Sequence, residues 1–231
     1  MWYYAPQMSN NWTLVTDQQS GPQNPVVLSY LGLRKAVGII GVALPFVLAF
    51  GKILLQGPGI QSSISGYYYY TDMRNVFVGS LCAIGVFLLS CRGYDRRDEI
   101  AGCLACAFAI GVALLPTTPY VGATSRDKII GAVHLSLAAL LFLTFAYFSL
   151  ALFTKTDLNG TPTRQKLQRN TVYRVCGYAI LACIALLGVV ALPPVQTLVE
   201  RLTPVFWLES VAVVAFGVSW LTKGETILKD Q

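Results

Sequence analysis

Charge is scarce in this chain, and that scarcity is the first constraint. Asp, Glu, Lys and Arg make up 12% of 231 residues, about half the roughly 25% of an ordinary water-soluble domain. Too little charge is available to coat a globule of this size, so a single water-exposed domain is excluded. Histidine occurs once, as His134, which is too few for a histidine-built zinc centre or a bis-histidine haem. No connector is long enough to fold separately; the longest covers 154–171. A phosphate-binding glycine loop and a nucleophile-elbow pattern are also missing.

What the chain does have is apolar length. Runs at 36–55, 73–91, 100–116, 128–153, 172–193 and 203–221 are separated by short polar segments. A helix rises about 1.5 Å per residue, so roughly twenty residues cross a hydrocarbon core of about 30 Å. The expected fold is all-α, a bundle of six transmembrane helices in a polytopic membrane protein. Residues 1–35 then form a polar tail with an interfacial stretch near 26–37, and 222–231 form a second tail.

The net charge of +6 follows from how lysine and arginine are distributed. With the N-terminus inside, Arg34, Lys35, Arg92, Arg96, Arg97, Lys155, Arg164, Lys166, Arg169, Arg174, Lys223 and Lys229 fall on the inner side. Only Lys52, Arg74, Arg126, Lys128 and Arg201 fall outside. Positive charge is retained in the cytoplasm, which sets both termini inside. The basic excess is therefore a topology signal and calls for no nucleic-acid partner. Trp207, Tyr120 and the run Tyr67–Tyr70 lie near the expected outer interface, and Trp220, Tyr94, Tyr173 and Tyr178 near the inner one, where amphipathic rings are favoured. The expected location is the plasma membrane, or the inner membrane of a bacterium.

Several local patterns carry a plain reading. Arg34-Lys35 before an apolar run resembles a secretory leader, but 33 residues precede it and no small-x-small cleavage site follows. Cys103-x-x-Cys106 has no second pair or histidine beside it, and all six cysteines lie in or at the ends of spans, so packing is their expected role. Asn11-Trp12-Thr13 and Asn159-Gly160-Thr161 match the glycosylation pattern on the cytoplasmic side. Pro45 is expected to kink the first span, whereas Pro116 and Pro193-Pro194 close the third and fifth. Small residues Gly102, Ala105, Cys106, Ala109 and Ala113 give the third span a face suited to close packing. Gly41-Val-Ala-Leu-Pro45, Gly111-Val-Ala-Leu-Leu-Pro116 and Gly188-Val-Val-Ala-Leu-Pro193 resemble a repeat, but such residues dominate membrane helices anyway.

Polar residues in the spans gather toward the expected outer side. His134 and Glu209 each lie about six residues inside their span, roughly 9 Å below the boundary. Glu209 in that setting must be protonated, hydrated or paired; His134 and Arg74 are the expected partners. Asp72 and Arg74 begin the second span, and Tyr67–Tyr70, including Tyr69 and Tyr70, would form an interfacial rim. Ser136 or Ser210 with His134 would be the parts for nucleophilic catalysis. With no metal set, no cofactor motif and no elbow, a non-enzymatic role is the stronger reading.

Ile64-Ser65-Gly66, the tyrosine run and Arg74-Asn75-Val76-Phe77-Val78-Gly79 resemble bacterial six-span membrane proteins and, more distantly, the DRAM-like six-span proteins of eukaryotes. The resemblance implies a compact six-helix bundle and transfers no catalytic residues. The residues point to a membrane protein that binds a lipid head group or small amphiphile through Arg74, His134, Glu209, Asp72, Tyr69 and Tyr70. A small proton-coupled transporter is the alternative and a membrane lipid hydrolase the weaker one. Expected partners are membrane lipids and further copies of the chain.

Overall fold

The computed structural model describes residues 25–91, 95–155 and 163–227. The tail before residue 25, the Asn159 glycosylation pattern and the chain after 227 lie outside the described residues. All described elements are helical: α1 (Pro25–Gln56), α2 (Tyr67–Tyr70), α3 (Arg74–Ser90), α4 (Arg96–Leu114), α5 (Ser125–Tyr147), α6 (Arg164–Val190), α7 (Pro193–Val199) and α8 (Pro204–Lys223). A π-helical turn, Phe148–Leu152, extends α5, and a short 3-10 turn, Glu200–Leu202, precedes α8.

Among the described residues four stretches are long and apolar enough to cross a membrane: Tyr30–Gln56, Ser125–Leu152, Arg164–Val190 and Pro204–Lys223. This is fewer than the six expected from the apolar runs, and the shortfall has a physical cause in each remaining case. α3 is apolar but only 17 residues long, about 26 Å. α4 opens on Arg96, Arg97, Asp98 and Glu99, and its apolar part, Ile100–Leu114, is about 22 Å long.

Local chemistry sets the boundaries. Pro25 begins α1, and no breaker separates 26–37 from the apolar run, so the helix starts eleven residues before the expected 36. It continues through Pro45 to Gln56. Asp95 and Asp98 form a reciprocal capping box that starts α4, and Thr124 with Asp127 does the same for α5. Each box satisfies amide donors that the first turn of a helix leaves open. α4 ends at Leu115, held extended before Pro116, because a residue preceding proline is disfavoured in the helical region.

The long helices close a ring, with α1 against α3, α3 against α4, α4 against α5, α5 against α6, α6 against α8 and α8 against α1. Glycine permits the tightest of these approaches. A Cβ on Gly38 would stand 2.9 Å from the Gly217 carbonyl, and one on Gly217 would stand 2.7 Å from the Val42 nitrogen. The small face of α4 meets α3 in the same way, with a Gly102 Cβ position 2.9 Å from the Leu88 carbonyl. Inside the ring Phe145 stacks on Phe216 at 3.6 Å, Phe148 and Phe153 pack edge-on to Trp220, and Tyr173 packs on Phe153. On the outside, Phe50, Leu54, Leu135, Val175 and Leu198 each turn more than half of their surface outward.

Candidate functional site

Segment 57–73 does more than connect α1 to α3: it folds back into the end of the bundle. Ile64, Ser65, Tyr67 and Thr71 are buried there. Gly57 and Gly59 take positive φ at the turn, a conformation glycine adopts without a steric penalty. The Phe206 amide donates to the Ser62 carbonyl at 2.9 Å, and the Ser62 hydroxyl bonds the Tyr120 hydroxyl. Tyr67 packs its ring on Phe206.

His134 and Glu209 both hold this segment, at adjacent residues. The Ile64 amide donates to Glu209 Oε2 at 2.6 Å, with the Ser65 amide also directed at the carboxyl. Ser65 Oγ lies 2.9 Å from His134 Nε2, while His134 Nδ1 lies 2.6 Å from the Leu115 carbonyl. A carbonyl only accepts, so Nδ1 carries hydrogen and, in the neutral ring, Nε2 accepts from the Ser65 hydroxyl. The Leu115 carbonyl is free for this bond because Pro116 has ended α4. Pro116 thus prepares the acceptor that orients His134.

The other expected site residues lie elsewhere. Arg74 is exposed, donates to the Tyr68 hydroxyl at 2.8 Å and sits 4.2 Å over the Tyr68 ring. It does not turn inward to Glu209: the Tyr68 ring offers its cation a hydrogen bond and a π-face at the surface. Asp72 is exposed and accepts from Gln56 at 3.4 Å. Tyr69 is exposed and packs edge-on to Tyr68; the Tyr70 side chain lies outside the described residues. Hence the tyrosine run divides, with Tyr67 in the core, Tyr68 on Arg74 and Tyr69 at the surface. Ser136 bonds the Ala132 carbonyl and Ser210 the Phe206 carbonyl, so the hydroxyl at His134 belongs to Ser65, which sequence reasoning passed over. Ser65 with His134 has the spacing of a hydroxyl and its base. The far ring nitrogen meets a carbonyl, however, and a carboxylate is what would stabilise an imidazolium there.

Beneath the segment lies a cavity of about 40 Å³ bordered by Ser65, Glu209, Phe77, Leu141 and Phe145. That space holds a water or two, since one water needs roughly 30 Å³ of liquid volume. A larger groove, about 430 Å³, runs along the outside between α4 and α5. Ile100, Leu104, Phe108, Leu140 and Leu143 line it, with Arg97 and Tyr147 at one end. From Arg97 to Phe108 it follows α4 for about 16 Å. Among the described residues no group of three or more metal-ligating side chains occurs, and the cysteines are free thiols.

The chain matches no family model, no curated protein and no solved structure.

Proposed function

We propose that the protein is an integral membrane protein that binds a phospholipid or similar amphiphile laterally, in the groove between α4 and α5. The groove itself carries this reading: it is apolar along its length and basic at one end. Its volume lies within the roughly 300–1,000 Å³ of small-molecule sites. Its length of about 16 Å matches half of a hydrocarbon core of about 30 Å. An acyl chain would lie along Leu104, Phe108, Leu140 and Leu143, with the head group at Arg97 and Tyr147. In this reading all six long helices cross the bilayer, α3 and α4 with their ends in the interface, and both termini face the cytoplasm. Arg97 then faces the leaflet richer in anionic lipid. Support for the bilayer comes from the outward apolar side chains, which mark a surface suited to lipid.

His134 and Glu209 serve here as a clasp on segment 57–71, so the ligand contact moves away from them. Native mass spectrometry with added phosphatidylglycerol tests the reading. Wild type should retain the lipid. Arg97→Ala should weaken retention about fivefold, the effect of one basic residue near an anionic head group, and Leu143→Trp should block the groove. Unchanged retention in both variants would remove the proposal. A second reading, proton-coupled transport, draws on the two ionisable groups of the clasp. It requires proton-driven flux in liposomes that Glu209→Gln abolishes.

A further inference from the structure

At the end of the bundle away from Glu209, α1, α6 and α8 bring cations together. A cavity of about 30 Å³ is bordered there by Arg34, Lys223, Tyr30, Asp98 and Trp220. Its floor is buried, whereas Arg34 and Lys223 at its rim are only half-buried. Arg34, Lys166 and Arg169 add positive potential at Lys223, and Asp98 offsets part of it. Among the described residues neither Arg34 nor Lys223 has a carboxylate within ion-pair distance; the ion pairs there join Lys155 to Asp95 and Asp98. Asp98, the acid at the cavity, is thus engaged by Lys155 at 3.3 Å.

The base of the cavity adds an independent sign. Trp220 is 2% exposed and, among the described residues, its Nε1 has no hydrogen-bond acceptor. A buried donor without a partner is rare and costly. The cations are held rather than loose: Arg34 donates to the Tyr30 hydroxyl at 2.8 Å and reaches the Lys223 carbonyl at 3.5 Å. Lys223 Nζ lies 5.5 Å from the Phe153 ring centre, and Lys166 Nζ donates to the Phe153 carbonyl at 3.1 Å. Arg34, Lys223 and Trp220 thus border one opening, two of them cationic and the third with an unused donor.

We infer that this cavity is an anion site for a phosphate group, with Trp220 Nε1 donating to one phosphate oxygen at its base and Arg34 and Lys223 binding the others at its rim. A space of about one water fits a single oxygen atom, and the half-buried rim leaves room for the remainder of the group. Arginine suits this role through its planar array of donors, and both cations form charge-assisted bonds to phosphate. The site is distinct from the α4–α5 groove, and either proposal can fail alone.

The test uses the full chain in detergent, with its thermal midpoint followed against inorganic phosphate, short-chain phosphatidic acid and chloride. Phosphate should raise the midpoint. Arg34→Ala should weaken binding about tenfold or more, as expected for loss of a charge-assisted bond. Trp220→Phe removes the donor while keeping an aromatic ring in the cluster, and should weaken binding severalfold. A site for a lipid head group favours phosphatidic acid over inorganic phosphate, and a site for free phosphate reverses that order; either result supports the assignment. A shift equal to that from chloride would overturn it. So would a response unchanged in Trp220→Phe and Lys223→Gln, two variants chosen in case Arg34→Ala does not fold.

Discussion

His134 has one proton donor and one acceptor to place, and this chain places both inside the bundle. The Leu115 carbonyl takes one and the Ser65 hydroxyl the other. Removing the imidazole in His134→Ala leaves the buried Ser65 hydroxyl and the part-buried Leu115 carbonyl without this partner, at about 1–3 kcal/mol for the buried group. Glu209→Ala similarly strands the Ile64 amide. Both variants should raise hydrogen exchange across 60–71 while leaving α6 protected; unchanged exchange there would mean that the clasp is not what holds the segment. Asp95 allows a separate test outside the apolar spans. The hydrogen bond from Lys155, then the Asp98 amide, hold its carboxyl below the usual aspartate range. A depressed folded-state value means the contribution is present above the ordinary value of about 4 and is lost as pH falls below it. Asp95→Asn should therefore flatten the fall in unfolding midpoint between about pH 6 and about pH 3. That His134 and Glu209 are polar groups within long apolar helices was legible in the sequence. Their shared hold on Ser65 and Ile64 was not, because it depends on where a connector folds.

Among the helices, glycine means different things at different contacts. Gly41, Gly111 and Gly188 share similar neighbours in sequence, yet a Cβ would meet Gly217 at the first and Leu137 at the second, and would find open space at the third. The three stretches thus have no common packing role. Gly217→Leu should separate α1 from α8 and cost about 1–3 kcal/mol through overpacking. Gly188→Ala, within α6 and free of neighbours, should be neutral or stabilise by roughly 0.5–1 kcal/mol. Thermal unfolding in one detergent compares them directly; equal effects would contradict the α1–α8 packing. The small face of α4 was readable because its residues recur at helical spacing. The Gly38–Gly217 approach was not, because it joins the first and last long helices across the whole chain.

At the scale of the whole molecule, the described residues form a ring of six long helices, of which four have the length and hydropathy to cross a membrane. On the proposed topology, α3 and α4 cross as a pair, joined tightly through Gly85, Gly102 and Cys106. Arg96→Cys, in a chain whose exposed Cys103 is replaced by Ser, should react with an impermeant maleimide only after permeabilisation. Val121→Cys should react in intact cells. Labelling of both from the same side would show that α4 does not span.

Composition and the spacing of apolar residues by themselves determined an all-helical chain with several helices long and apolar enough to cross a membrane. They do so because burying a helix depends on local periodicity and length, which one strand of text contains. The tertiary structure alone decided which polar groups meet: Glu209 with Ile64, His134 with Ser65 and Leu115, Arg74 with Tyr68, and Arg34 with Lys223 beside Trp220. Those pairings depend on the order of helices around the ring and on the fold of a connector, and all but Arg74 with Tyr68 join residues distant in the chain.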